Sequence, residues 1–159
     1  MKKIVIRPER CTGCRSCEAA CSKAHAREMG PPGRGRPKAV PRIRVESHKK
    51  SGSTVLSPAR CRQCERPPCA EACPQGALSK GEDGVVVHDP DKCVGCLECI
   101  IACPYGSIHL EGTRPVKCDM CPDRSTPACV AACRNGAMFI QWEEVQTQEL
   151  PFDGLIGAE

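Results

Sequence analysis

Apolar residues in this chain fall into short runs, and the runs have the length of strands. Ile4 to Ile6 and Ala137 to Trp142 are two β-favouring stretches near the ends of the 159-residue sequence. Two hairpin patterns lie between them. Ala77 to Lys80 and Val85 to His88 flank the turn Gly81-Glu82-Asp83-Gly84, and a longer hairpin is predicted over Arg42 to Leu56 with its turn near Lys49-Lys50-Ser51-Gly52. Helix is expected only as one or two turns, over segments such as Cys17 to Cys21 and Cys129 to Cys133, where alanine favours helix and small side chains permit close approach. No apolar run is long enough to span a bilayer, and the apolar stretch within Met1 to Glu9 is too short for the core of a signal peptide. A cytoplasmic chain without membrane insertion is the expectation.

Such short elements need something to pack against. The sequence has only two Phe, one Tyr and one Trp, alongside 15 Pro and 14 Gly, so an ordinary aromatic core is not available. It does have 16 cysteines, in four tight quartets with none left over. They are Cys11, Cys14, Cys17, Cys21; Cys61, Cys64, Cys69, Cys73; Cys93, Cys96, Cys99, Cys103; and Cys118, Cys121, Cys129, Cys133. Each quartet opens C-x2-C and closes C-x3-C. The first and third read C-x2-C-x2-C-x3-C throughout, the run that binds cubane iron-sulfur clusters. Four 4Fe-4S clusters are expected, tying the chain together at sixteen points and leaving the metal-free chain largely unfolded.

Two other uses of cysteine compete. A disulfide scaffold fits the density but belongs to secreted chains. Zinc uses C-x2-C pairs, but three cysteines within seven residues, in the first and third quartets, exceed what one zinc knuckle needs. The formal charge of +4 invites a nucleic-acid reading, yet it counts every thiol as neutral. Four oxidised cubanes with their thiolates add about −8, which turns the balance to about −4. Aromatic stacking residues are nearly absent as well, so a zinc-stabilised nucleic-acid module is the remote alternative.

Repetition suggests how the quartets combine. After the last cysteine of quartets two, three and four the chain reads Cys73-Pro-Gln-Gly, Cys103-Pro-Tyr-Gly and Cys133-Arg-Asn-Gly, each followed by a small residue and then an apolar one. The glycines suit positive φ or close packing. Quartets two and three, 19 residues apart, have the spacing of a two-cluster ferredoxin module, in which the fourth cysteine of each run ligates the other cluster. That assigns Cys61, Cys64, Cys69 and Cys103 to one cluster and Cys73, Cys93, Cys96 and Cys99 to another. Quartets one and four remain and pair if the terminal strands meet. They give Cys11, Cys14, Cys17 with Cys133, and Cys118, Cys121, Cys129 with Cys21. The expected organisation is α+β, two intertwined bacterial-ferredoxin-like modules of short hairpins and helices around four clusters. Residues 1–30 and 111–142 form the outer module, 31–57 a basic loop and hairpin insertion, 58–110 the inner module, and 143–159 a tail for partner docking.

Other candidates are weaker. Gly13 and Gly95, between the first two cysteines of their quartets, either turn an amide toward a cluster sulfur or serve an ordinary tight turn. The insertion carries Arg34, Arg36, Lys38, Arg42, Arg44, Lys49 and Lys50, a solvated basic loop by default and an acidic-partner surface as the alternative. His25, His48, His88 and His109 are isolated in sequence and read as surface or hydrogen-bonded residues, and no nucleotide-binding glycine motif occurs. With four thiolates per cluster and no other catalytic group, electron transfer is the expected chemistry and no catalytic residue is assigned.

The runs at 11–21, 61–78, 93–108 and 117–133 together resemble the four-cluster ferredoxin-like subunits of molybdenum and tungsten pterin oxidoreductases, over residues 4–142. The family's pairing, first quartet with fourth and second with third, implies the same four ligand sets. The seven-residue gap at Pro122 to Ala128, and the lack of a long extension or anchor, are similar to the small iron-sulfur subunits of tungsten aldehyde oxidoreductase and class II benzoyl-CoA reductase complexes. The resemblance implies a relay between a large catalytic pterin subunit and a flavin subunit or ferredoxin, with higher-order assembly open. A freely diffusing polyferredoxin, or a carrier associated with hydrogenase or formate dehydrogenase, is the alternative.

Overall fold

A computed structural model describes residues 2–26, 39–50 and 52–142. Arg34, Arg36 and Lys38 of the basic loop and the tail 143–159 lie outside the described residues, as does the side chain of Lys50.

Four antiparallel two-stranded ribbons frame the described chain. β1 (Lys2–Ile6) pairs with β8 (Met138–Trp142), Ile4 opposite Ile140, so the predicted meeting of the two terminal stretches occurs. β4 (Leu78–Lys80) and β5 (Val86–His88) form the short predicted hairpin, with Leu78 opposite His88. β2 (Ile43–Lys50) and β3 (Ser53–Arg60) form the longer one, and β3 runs four residues past the predicted end at Leu56. Pro58 within that extension reads as a breaker, but in a two-stranded ribbon each strand keeps a free edge where a missing N–H costs nothing. The same reasoning accounts for a ribbon the sequence pattern did not announce, β6 (Ile108–Glu111) with β7 (Arg114–Lys117), where Pro115 faces Leu110 and Gly112 turns at φ +60°.

Helices α2 (Pro68–Glu71), α3 (Glu98–Ala102) and α4 (Ala128–Ala131) are single turns, as expected from their C-x3-C segments. Each is followed by a glycine in the left-handed region, Gly76, Gly106 or Gly136 at φ +57°, +54° and +62°, which bends the chain away from helix. α1 (Ser16–His25) has ten residues, longer than predicted. No glycine or proline follows Cys21, and His25 one turn later is anchored back to the Cys21 carbonyl, with Nδ1 at 2.9 Å.

α1 packs on α4, and α2 on α3. Two apolar clusters result. One gathers Ile4, Ile43, Val85, Met120 and Met138 around Cys17, Cys21, Cys61, Cys118 and Cys129. The other gathers Leu78, Val86 and Ile108 around Cys69 and Cys99. Among the described residues, the large side chains that are fully buried are Ile43, Val86 and Pro127. At about 1.5–3 kcal/mol per fully buried large apolar side chain, so few cannot offset the conformational entropy of the chain. Cysteines occupy the middle of both clusters, so whatever binds them completes the core. No helix among the described residues is long and apolar enough to cross a membrane.

Candidate metal centres

Each quartet begins with a loop that must curl tightly enough to aim several sulfurs inward. The residue before the second cysteine is left-handed in all four: Gly13 at φ +71°, Gln63 at +53°, Gly95 at +73° and Met120 at +63°. In quartets one and three, Arg15 and Leu97 repeat that conformation directly after the second cysteine. A non-glycine residue held there costs about 1–2 kcal/mol, so something must hold it. Gln63 is fixed at both ends of its amide, Oε1 accepting from Val86 N–H at 2.9 Å and Nε2 donating to Cys118 O at 2.8 Å. Met120 is buried at 3 % exposure. Gly13 has no room for a side chain, since a Cβ there would lie 2.5 Å from Leu56 Cδ1. Three amide-to-cysteine hydrogen bonds come from outside these curled loops: Arg42 N to Cys21 Sγ at 3.2 Å, Ala77 N to Cys73 Sγ at 3.2 Å and Ser107 N to Cys103 Sγ at 3.4 Å.

Three small cavities hold most of the cysteines. One is lined by Cys11, Cys14, Cys17 and Cys133, one by Cys61, Cys64, Cys69 and Cys103, and one by Cys73, Cys93, Cys96 and Cys99. Cys21, Cys118, Cys121 and Cys129 form a fourth group, in which the other three add to the rise in the Cys129 pKa. In every group three cysteines come from one run and the fourth from another. The helix pairs explain this crossing, because α1 carries Cys17 and Cys21 against Cys129 and Cys133 of the α4 segment, and α2 and α3 do the same with Cys69, Cys73, Cys99 and Cys103.

All sixteen are free thiols. Cys14 and Cys96 are exposed, one in each of two groups, while Cys21, Cys118 and Cys129 of the fourth group are buried. Burial pushes Cys129 up to about 12, aided by neighbouring cysteines, and pushes Cys118 and Cys17 up to about 11. A thiol at that value gives up its proton only to a metal of sufficient charge. Sulfur-only donor sets of four suit soft iron-sulfur chemistry and not the oxygen-loving cations.

The fourth group is also the one with a polar surround. His25 is buried at 6 % exposure, with Nε2 3.2 Å from Asp119 Oδ1 and Nδ1 3.6 Å from Cys21 Sγ. Arg42 Nη1 donates to Asp119 Oδ2 at 2.7 Å, and Cys121 N donates to Asp119 Oδ1 at 3.0 Å. Burial works against a charged His25, but hydrogen bonds to Asp119, Cys121 and Cys21 outweigh it and raise His25 to about 12. Asp119 is pulled well below the usual carboxylate range, its own burial being outweighed by His25 and Arg42. His25 is thus one of the hydrogen-bonded histidines the sequence reading expected, and its partner Asp119 lies 94 positions away. His48 is exposed beside Glu46, His109 is half-buried, and His88 lines the cavity of Cys73, Cys93, Cys96 and Cys99 with its Nε2 buried and unpartnered.

Two 4Fe-4S dicluster domain models match the chain, over residues 53–143 and 10–77. The chain belongs to the 4Fe-4S dicluster proteins. The protein of Escherichia coli named putative electron transport protein YsaA is 35 % identical over 153 residues, covering 92 % of this chain and 94 % of that one. A ferredoxin of Methanocaldococcus jannaschii is 37 % identical over 145 residues, covering 90 % and 82 %. The beta subunit of an NADH-dependent phenylglyoxylate dehydrogenase of Aromatoleum evansii is 40 % identical over 140 residues, covering 85 % of this chain and 29 % of its own length. As a dicluster protein with sixteen cysteines the chain takes four 4Fe-4S clusters and is an electron-transfer iron-sulfur protein.

Proposed function

We propose that this chain is the relay subunit of a multisubunit oxidoreductase, passing electrons through four clusters in the order Cys11/Cys14/Cys17/Cys133, Cys21/Cys118/Cys121/Cys129, Cys61/Cys64/Cys69/Cys103 and Cys73/Cys93/Cys96/Cys99. The single observation that carries it is the crossing of runs at the cysteine cavities, three sulfurs from one run and one from another. Each bound cubane supplies one-electron redox chemistry. The protein's own contribution is to hold sulfurs, donate amide hydrogen bonds to them and exclude water from the two central groups, with exposed Cys14 and Cys96 at the outer two marking where electrons enter and leave. The outer module takes residues 1–30 and 111–142, the inner module 58–110, with the insertion 31–57 between them and the tail 143–159 as a docking segment.

The partner is a large catalytic subunit, a tungsten or molybdenum pterin enzyme on the resemblance of the four cysteine runs, with a flavin subunit or ferredoxin at the other end and a cytoplasmic location. That a relative is a subunit of a phenylglyoxylate dehydrogenase supports a catalytic partner. A second reading, a freely diffusing polyferredoxin, is favoured by relatives of this length that are named as an electron transport protein and a ferredoxin. Anaerobic purification from the native host separates the two. About sixteen irons per chain with matching acid-labile sulfide, and a pterin-containing large subunit in the same peak, is the expected result. The same iron content in a lone small protein favours the diffusing carrier, and zinc with no sulfide overturns both.

A further inference from the structure

One cation is buried and a second half-buried where the inner and outer modules meet, and neither forms an ion pair among the described residues. Lys117, the last residue of β7, is 4 % exposed. Its Nζ donates to Cys118 O at 2.9 Å and to the carbonyl of Val86. Cys118 belongs to the group of Cys21, Cys121 and Cys129, and Val86 lines the cavity of Cys61, Cys64, Cys69 and Cys103. The ammonium is therefore clamped between the two central groups. Arg60, the last residue of β3, is half-buried and approaches the same junction from the other side. Its guanidinium donates to Cys61 O and Ile4 O, and its Nε is buried with no partner. The Lys117 charge reaches Cys69, and the Arg60 charge reaches Cys118 and Cys129.

Arg42 shows the contrast, since its charge is answered by Asp119 at 2.7 Å. A buried cation without a counter-charge carries a desolvation penalty of several kcal/mol, so anionic thiolates are the natural answer to Lys117 and Arg60. The outer two groups have nothing equivalent. Arg10, Arg15 and Arg134 border the cavity of Cys11, Cys14, Cys17 and Cys133 but are exposed, where solvent and salt screen them, and the cavity of Cys73, Cys93, Cys96 and Cys99 is bordered by Val94, Leu97, Pro115 and His88, with no lysine or arginine in its lining.

We propose that Lys117 and Arg60 set the redox potentials at the crossing between modules, stabilising the added negative charge when an electron resides at either central group and so holding those two above where the bare protein would leave them. They are positioning residues for charge, and the inference rests on the four-cluster relay described above.

The test is a potentiometric reduction of the iron-loaded full chain with dithionite, followed by electron paramagnetic resonance, with Cys14→Ser and Cys96→Ser marking the signals of the outer groups. Lys117→Met is expected to lower the midpoints of the two central groups and leave the outer two in place, and Lys117→Arg to restore them. A hydrogen-bonding role alone would move iron content or stability and no midpoint. Midpoints unchanged in Lys117→Met, or all four shifted alike, overturn the inference. If Lys117→Met loses iron, Arg60→Leu carries the same readout, with lowered central midpoints in support and unchanged ones against. A wild-type chain with about sixteen irons in which no variant moves a midpoint sinks this inference and leaves the relay standing. A chain without iron signals sinks both.

Discussion

The group of Cys21, Cys118, Cys121 and Cys129 and the group of Cys73, Cys93, Cys96 and Cys99 grow from the same kinds of run yet end in opposite surroundings. The first has three buried cysteines, with His25, Asp119 and Arg42 packed against it. The second opens to solvent at Cys96, beside Val94 at 67 % exposure, and His88, which lines its cavity, has a buried Nε2 without a partner. Spacing thus sets which sulfurs gather, while the elements packed outside decide how dry and how charged each group is. A central relay position calls for the first environment, and a terminal one for the second.

The largest way to break this contrast is to remove one sulfur from each side. Cys129→Ser is expected to cost more than about 4 kcal/mol and prevent iron loading of the outer module, because it removes a metal ligand at the centre of an apolar cluster. Cys96→Ser, at an exposed position, is expected to cost about 1–2 kcal/mol and keep the far-ultraviolet circular dichroism of the loaded protein. Equal losses, read by iron content and chemical denaturation, would erase the distinction between central and terminal groups.

Next comes the polar surround. Asp119→Asn removes the carboxylate that His25 and Arg42 share and should destabilise the loaded protein by roughly 3 kcal/mol. Replacing His88, which holds no ion pair in the described chain, by Phe should change stability by less than about 1 kcal/mol. Thermal unfolding under anaerobic conditions compares the two directly.

Smaller again is the backbone. Gly13→Ala meets both a left-handed φ and Leu56 at 2.5 Å, for about 2–3 kcal/mol, whereas Gly76→Ala meets the φ cost alone, about 1 kcal/mol, with nothing within 4 Å of its Cβ. A similar cost at both glycines in denaturation midpoints would mean that Leu56 gives way.

The smallest effect is on pH. Burial lowers the pKa of His88 and His109, with help from Lys117 at the first and Arg44 at the second. The unfolded chain then binds protons that the folded chain resists, so stability is full above the ordinary histidine value and falls as pH drops through the depressed ones. His109→Leu should flatten part of that acid-side slope in melting temperature, and an unchanged slope would show that His109 does not contribute.

Much of this was legible in the cysteines and little in what surrounds them. Strict C-x2-C and C-x3-C spacing fixes local curvature, and the β-favouring stretches at Ile4 to Ile6 and Ala137 to Trp142 announced their own pairing. The β6–β7 ribbon was hidden by Pro115, which reads as a breaker in a wide sheet but is harmless in a ribbon with a free edge. Gln63, His25, Asp119 and Lys117 were also hidden, since each acts across 30 or more positions, or on a neighbour's backbone, and nothing periodic marks them. Their signal in sequence is faint: a polar residue where a run otherwise takes glycine, as at Gln63, or a charge directly beside a ligand cysteine, as at Lys117 and Asp119.

The most direct measurement of the central claim is an iron anomalous-difference map from crystals grown without oxygen. The account expects four iron-sulfur peaks, with Cys133 on the group of Cys11, Cys14 and Cys17, and Cys21 on the group of Cys118, Cys121 and Cys129. Four peaks each bound within a single consecutive quartet, or fewer than four, would contradict it.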